Sequence, residues 1–116
     1  MQDKITKDKI EKYFDLTSRA FKEVKKNVVK GKEKYAKEII DMVENYLSDA
    51  RHFEKKGDLV NCFAALNYAH GWLDSGVRLD IFDVNDDKLF TVKWKFLLLD
   101  KPIPARGEEV YHLFLI

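Results

Sequence analysis

The chain has 116 residues, 35% charged and 46% apolar, with a formal net charge of +1. This length suits one domain, and the balance of charge and apolarity excludes a disordered chain. The near-zero net charge excludes a global pull toward nucleic acid or an anionic membrane.

The opening run, MQDKITKDKIEK, has no apolar signal core, and no apolar run reaches membrane-spanning length. The single cysteine, Cys62, cannot form an internal disulfide. A reducing, cytoplasmic setting is the expectation, with no membrane partner.

Helical spacing predicts a first helix over residues 5–29, capped by Thr6. Its seam is Ile10, Phe14, Thr17, Phe21, Val24 and Val28, with Thr17 as one polar slot. Gly31 is its expected stop. A second helix is predicted over 34–56, on a seam of Ala36, Ile39, Val43, Tyr46, Ala50 and Phe53. Gly57 breaks it, and Asp58 caps a third helix over 58–82. There Leu59, Phe63, Leu66, Leu73, Val77 and Ile81 keep helical spacing, while Cys62, Ala65, Ala69, Trp72 and Gly76 widen the stripe. An apolar arc that broad suits a helix touching two neighbours. Gly71 and Gly76 each cost about 1 kcal/mol relative to Ala inside a helix; one reading is that they admit a close neighbour, the other that Trp72 and Tyr68 need room beside them.

Both connections are short, which makes sequential helices antiparallel. The expected fold is mainly α: an up-down-up three-helix bundle over residues 1–86 with a C-terminal β-hairpin or extended tail over 87–116. The tail reading rests on Phe90, Val92, Trp94 and Phe96 alternating with Thr91, Lys93 and Lys95, a proline-broken loop, and a final run VYHLFLI. A short amphipathic helix over 87–99 is the rival.

The middle of the chain also resembles a small archaeal domain family of unknown function, whose members look like three-helix bundles. The features are Tyr46, Asp49, Ala50 and Phe53, then Lys56-Gly57-Asp58, then Asn67-Tyr68-Ala69-His70-Gly71-Trp72-Leu73-Asp74, then Gly76, Arg78 and Leu79. Leu89-Phe90-Thr91-Val92 looks like the family's usual end. The resemblance spans roughly the first 92 residues. It implies the bundle and an archaeal, cytoplasmic origin, and supplies no activity. It places a glycine where this chain has Asp80. The Gly-Asp junction is also similar to tetratricopeptide-type hairpins, over one hairpin only.

Candidate chemistry lies on the third helix. His70, Asp74 and Arg78 are spaced i, i+4, i+8, with Asn67 one turn earlier. Read as a ligand pocket, His70 orients or exchanges a proton, Asp74 partners it and Arg78 clamps an anion, with Asp49 of the second helix facing the same cavity. Read plainly, Asp74 and Arg78 form a surface ion pair worth about 0.3–0.5 kcal/mol and His70 is a boundary residue. No nucleophile, base and orienter can be read from one helix, so no catalytic residue is assigned. No metal ligands or cofactor are assigned either: His70 and Asp74 would give two ligands where three or four are needed, and no paired-cysteine or HExxH signal is present.

Charge is uneven along the chain. Residues 1–38 carry 12 Lys/Arg against 7 Asp/Glu, while 39–116 carry 9 against 13. Lys25, Lys26, Lys30, Lys32 and Lys34 crowd the first connection and are the candidate nucleic-acid contacts. The bundle topology brings Asp80, Asp83, Asp86 and Asp87 to the same end, where they offset the lysines. The functional expectation is a non-enzymatic interaction domain binding protein or a second copy. A nucleic-acid module on the lysines and a small-ligand pocket around His70 stand as alternatives.

Overall fold

In the computed structural model, which describes residues 3–86 and 89–90, the apolar seams form three helices. They are α1 (Lys7–Lys26), α2 (Glu33–Lys55) and α3 (Leu59–Arg78). The up-down-up bundle is as the periodicity predicts. The tail expected to form a hairpin lies outside the described residues beyond Phe90. Among the described residues there is no β-strand, only one antiparallel bridge between Val28 and Phe82.

Local chemistry starts each element. The Thr6 hydroxyl accepts from the Lys9 amide at 3.2 Å, satisfying a first-turn donor of α1. Asp58 does the same for α3, accepting from the Asn61 amide at 3.1 Å and from its side-chain amide at 2.7 Å. The Asn61 side chain first, and its backbone N–H second, hold the Asp58 carboxyl below its ordinary value. A depressed carboxylate stabilises the fold above the unfolded value of about 4, and that contribution is lost as pH falls through the lower folded value.

α3 packs on both α1 and α2, whose backbones lie nearer to it than to each other. Its buried stripe is Cys62, Ala65, Leu66, Ala69, Leu73, Gly76 and Val77. Leu66 and Leu73 are 1% and 0% exposed, so the third helix is wedged between its companions. The core forms two clusters along the bundle. One gathers Ile10, Phe14, Ala50, Cys62, Ala65 and Leu66 at the α2–α3 turn. The other gathers Phe21, Val24, Ile39, Val43, Leu73, Val77, Phe82 and Phe90, among others, at the opposite end.

The helix ends differ from the spacing-based expectation. α1 stops at Lys26 rather than 29, before Gly31, whose φ of 91° instead turns the chain into α2. Residues 27–29 leave the helix because they pair with the segment after α3. The Val29 amide donates to the Ile81 carbonyl at 2.9 Å, and the Asp83 amide to the Asn27 carbonyl at 2.8 Å. For the same reason α3 ends at Arg78 rather than 82.

α2 and α3 close with the same motif. Asp58 N–H reaches the Phe53 carbonyl at 2.9 Å and Gly57 N–H the Glu54 carbonyl at 3.0 Å. Ile81 N–H reaches the Gly76 carbonyl at 2.9 Å and Asp80 N–H the Val77 carbonyl at 3.2 Å. This Schellman arrangement needs a left-handed residue. Gly57 supplies it at φ 76°, and Asp80 at φ 59°. Hence the glycine that the family resemblance places at position 80.

The two helical glycines separate. A Cβ on Gly76 would lie 2.5 Å and 2.7 Å from the Phe82 ring and 3.1 Å from Ile39, whereas Gly71 has nothing within 4 Å. Gly76 seats the ring; the close neighbour that one reading sets at Gly71 is not there. Urea denaturation therefore should show Gly76→Ala losing about 1–3 kcal/mol and Gly71→Ala gaining up to about 1 kcal/mol. By the same measurement Asp80→Gly should be more stable than Asp80→Ala by about 1 kcal/mol, since both lack the carboxylate and only one avoids Cβ strain.

Candidate functional site

The one polar slot in the α1 seam finds its partner on α3. Thr17 is 0% exposed, between Phe14 of one core cluster and Phe21 of the other. Its hydroxyl lies 3.2 Å from His70 Nδ1. On the far side of the ring, His70 Nε2 lies 3.8 Å from Asp74 Oδ1, with the two side chains 19% and 25% exposed. The arrangement that satisfies both ring nitrogens has Thr17 donating to a bare Nδ1 and the Nε2–H facing the Asp74 carboxylate.

A hydroxyl, an imidazole and a carboxylate in a row resemble a nucleophile, base and orienter. Burial decides against that use of Thr17, because a nucleophile must meet a substrate and this residue has no exposed surface. The row is a polar tie between α1 and α3 at the waist of the bundle. It keeps a buried hydroxyl paired, which an apolar seam otherwise could not.

Asn67 of α3 and Asp49 of α2 are both exposed. The hydrogen-bonding partner of His70 from another helix is Thr17 of α1. Arg78 is half-buried, and both it and Asp74 make further polar or charge interactions. An open depression at the start of α1, lined by Asp3, Lys4, Thr6, Asp8, Lys9, Lys12 and Tyr13, includes none of them. Among the described residues, no three His, Cys, Asp or Glu side chains gather where they could hold a metal ion. Burial raises the Cys62 thiol above its ordinary value, with Glu54 and Asp58 adding to it, so its thiolate is disfavoured.

Lys25, Lys26, Lys30, Lys32 and Lys34 are all exposed. Lys25 lies over the Phe21 ring at 4.2 Å and Lys32 over Tyr35 at 5.8 Å. The backbone pairing of 27–29 with 81–83 brings Asp83 to the same end of the bundle.

The surface that sequence reasoning missed is the outer face of α3. Its exposed residues are Val60, Asn61, Ala64, Asn67, Tyr68, Gly71, Trp72 and Ser75, then the cap Leu79, and none is charged. On α1 every exposed residue except Ser18 is charged. Trp72, counted with the buried arc by its spacing, is 37% exposed; Tyr68 is 62% and Leu79 66%. Tyr68 stacks on Tyr46 of α2 with ring centroids 5.3 Å apart. That stack and the level of Ile39 with Gly76 fix the antiparallel register. Helical spacing then sets Met42 level with Trp72 and Tyr35 level with Leu79. A row of aromatic and aliphatic side chains follows the α2–α3 groove. The available signal was the absence of charge from positions 59 to 73 in a chain otherwise rich in it.

A double-mutant cycle tests the waist. Thr17→Val and His70→Leu, each measured by urea unfolding, should couple by about 0.5–1.5 kcal/mol. Coupling near zero would mean that hydroxyl and ring are not joined.

No helix among the described residues is long and apolar enough to cross a membrane. A search of curated proteins and a search of solved structures return no match. Residues 12–82 match a family described as a protein of unknown function, DUF357. That stretch takes in most of α1, all of α2 and α3, and the return of the chain to pair with Val28. The match covers well over half of the chain, which therefore belongs to the DUF357 family.

Proposed function

We propose that the protein is a non-enzymatic interaction domain that binds a protein segment through the outer face of α3. The observation that carries this reading is the lack of charge on that face. A solvated helix face in this chain is charged, as α1 demonstrates, whereas α3 turns outward Tyr68, Trp72, Gly71 and Leu79. Desolvating charge costs several kcal/mol per ion, so surfaces that meet a partner shed it, and aromatic side chains supply contact area there. Gly71, open above, admits close approach by a partner's backbone.

The other readings have less support. His70 is engaged by Thr17, and the lysines of the first connection share their end of the bundle with Asp83. The archaeal, cytoplasmic setting implied by the family resemblance belongs to this proposal; a buried free thiol suits a reducing compartment.

The test is comparative affinity purification from the cells that make the protein, using wild type, Gly71→Lys and the control Lys22→Ala. The proposal expects proteins retained by wild type and by the control to be lost, tenfold or more, with Gly71→Lys. Identical sets of retained proteins for all three would refute it.

A further inference from the structure

The groove beside the outer face of α3 has two unlike banks. Tyr46 and Met42 of α2 line it with Tyr68 and Trp72 of α3. Its α3 bank is Ala64, Gly71 and Ser75, which are small, exposed and uncharged. Its α2 bank is acidic. Asp49 stands one turn from Tyr46 and Glu38 one turn from Met42, on the same side of the helix by spacing, and both are exposed. No lysine or arginine occurs in α2 between them. Asp41, in the same stretch, is paired with Lys37 at 2.7 Å. Among the described residues Glu38 and Asp49 form no ion pair.

Resting on the proposal that the outer face of α3 is a binding surface, we propose that its occupant is an amphipathic helix of a partner protein, with lysine or arginine along one border of its apolar stripe. Three arguments select this occupant. Shape comes first. The groove lies between two antiparallel helices and follows α3, which is 20 residues and about 30 Å long. An apolar ridge at i, i+3, i+4 and i+7 fits such a groove, and Gly71 leaves room for its backbone. An extended segment would need a sheet edge to pair with, and among the described residues there is no strand. Size is second. At roughly 10 Å wide the groove offers about 300 Å², against about 800 Å² per partner in a standard two-protein interface. It suits one helix better than a second globular copy. Charge is third. Unpaired acids beside an apolar floor favour a cation on the partner, and here they border the groove on the α2 bank. The ring faces of Tyr68 and Trp72 add places where an arginine or lysine can lie. A preference for basic partners does not come from the molecule as a whole, whose net charge is +1.

A peptide-display selection on the immobilised full chain tests the assignment. The library holds helices of about five turns with a fixed apolar stripe at helical spacing. Lys, Glu or Gln varies at the positions bordering the stripe on both sides. The baits are wild type, Glu38→Gln/Asp49→Asn, and the control Glu11→Gln/Glu44→Gln. Glu11 and Glu44 stand two residues from Tyr13 and Tyr46, on the far sides of α1 and α2, and the two double variants carry the same net charge. Wild type and the control should enrich Lys over Glu at least about threefold on one border only, and Glu38→Gln/Asp49→Asn should return the ratio to that of the starting library. Gly71→Lys, at a position with open space around it, should lose the binders altogether. A Lys enrichment that the two double variants change alike, one that spreads over both borders, or an enrichment of Glu overturns the basic helix. So does a selection that retains nothing. Binders that Gly71→Lys abolishes but that show no border charge overturn the basic helix and leave the α3 face standing as an interface. The wider reading fails separately, when Gly71→Lys loses no protein in the affinity purification.

Discussion

The structure depends on α3 being buried on two sides at once. The backbones of α1 and α2 lie nearer to α3 than to each other, so each is held chiefly by its contact with the third helix. That requirement explains the composition of α3. Small residues at Cys62, Ala65, Ala69 and Gly76 let both neighbours approach, and Leu66 and Leu73 fill the space between them. Gly76 is the tightest instance, since the Phe82 ring occupies the space where a side chain would begin. A helix committed inward on two sides has only one face left for solvent or for a partner. On that face this chain has placed aromatics and small residues rather than charge.

The polar tie at the waist has the same origin. A hydroxyl in the α1 seam would be costly in an apolar core without a partner, at about 1–3 kcal/mol for an unpaired buried group. His70 supplies the partner from the edge of the α3 stripe, and Asp74 faces its other nitrogen. Thr17 and His70 also separate the two core clusters, so the pairing helps to fix how α1 registers along α3. Leu47, which packs against both clusters, provides apolar continuity from α2.

Much of this was legible in the residues themselves. The seams of α1 and α2, the caps Thr6 and Asp58 and the break at Gly57 follow from spacing and local hydrogen-bonding chemistry. The helix ends were not legible, because Val28 and Ile81 both keep helical spacing. What removes them from their helices is a pairing between segments more than fifty residues apart, and periodicity within one helix carries no information about it. The partner of His70 was missed for a related reason. Spacing shows which residues share a side of α3, but not which neighbour covers that side. Thr17 was visible as a polar slot; the need of a buried hydroxyl for a partner was the clue that pointed across to α3. Trp72 was misplaced because its spacing borders the buried arc, and a helix touching two neighbours still ends that arc somewhere.

The central claim is that α3 is the wedge on which the other helices close. Native-state amide hydrogen exchange measures it residue by residue. The account predicts that Leu66, Ala69 and Leu73 exchange only through global unfolding, with a free energy equal to that from denaturant melting. Exchange at those positions with a lower free energy than at Val24 of α1 and Val43 of α2 would contradict it, because the wedge would then open before the helices it is said to hold.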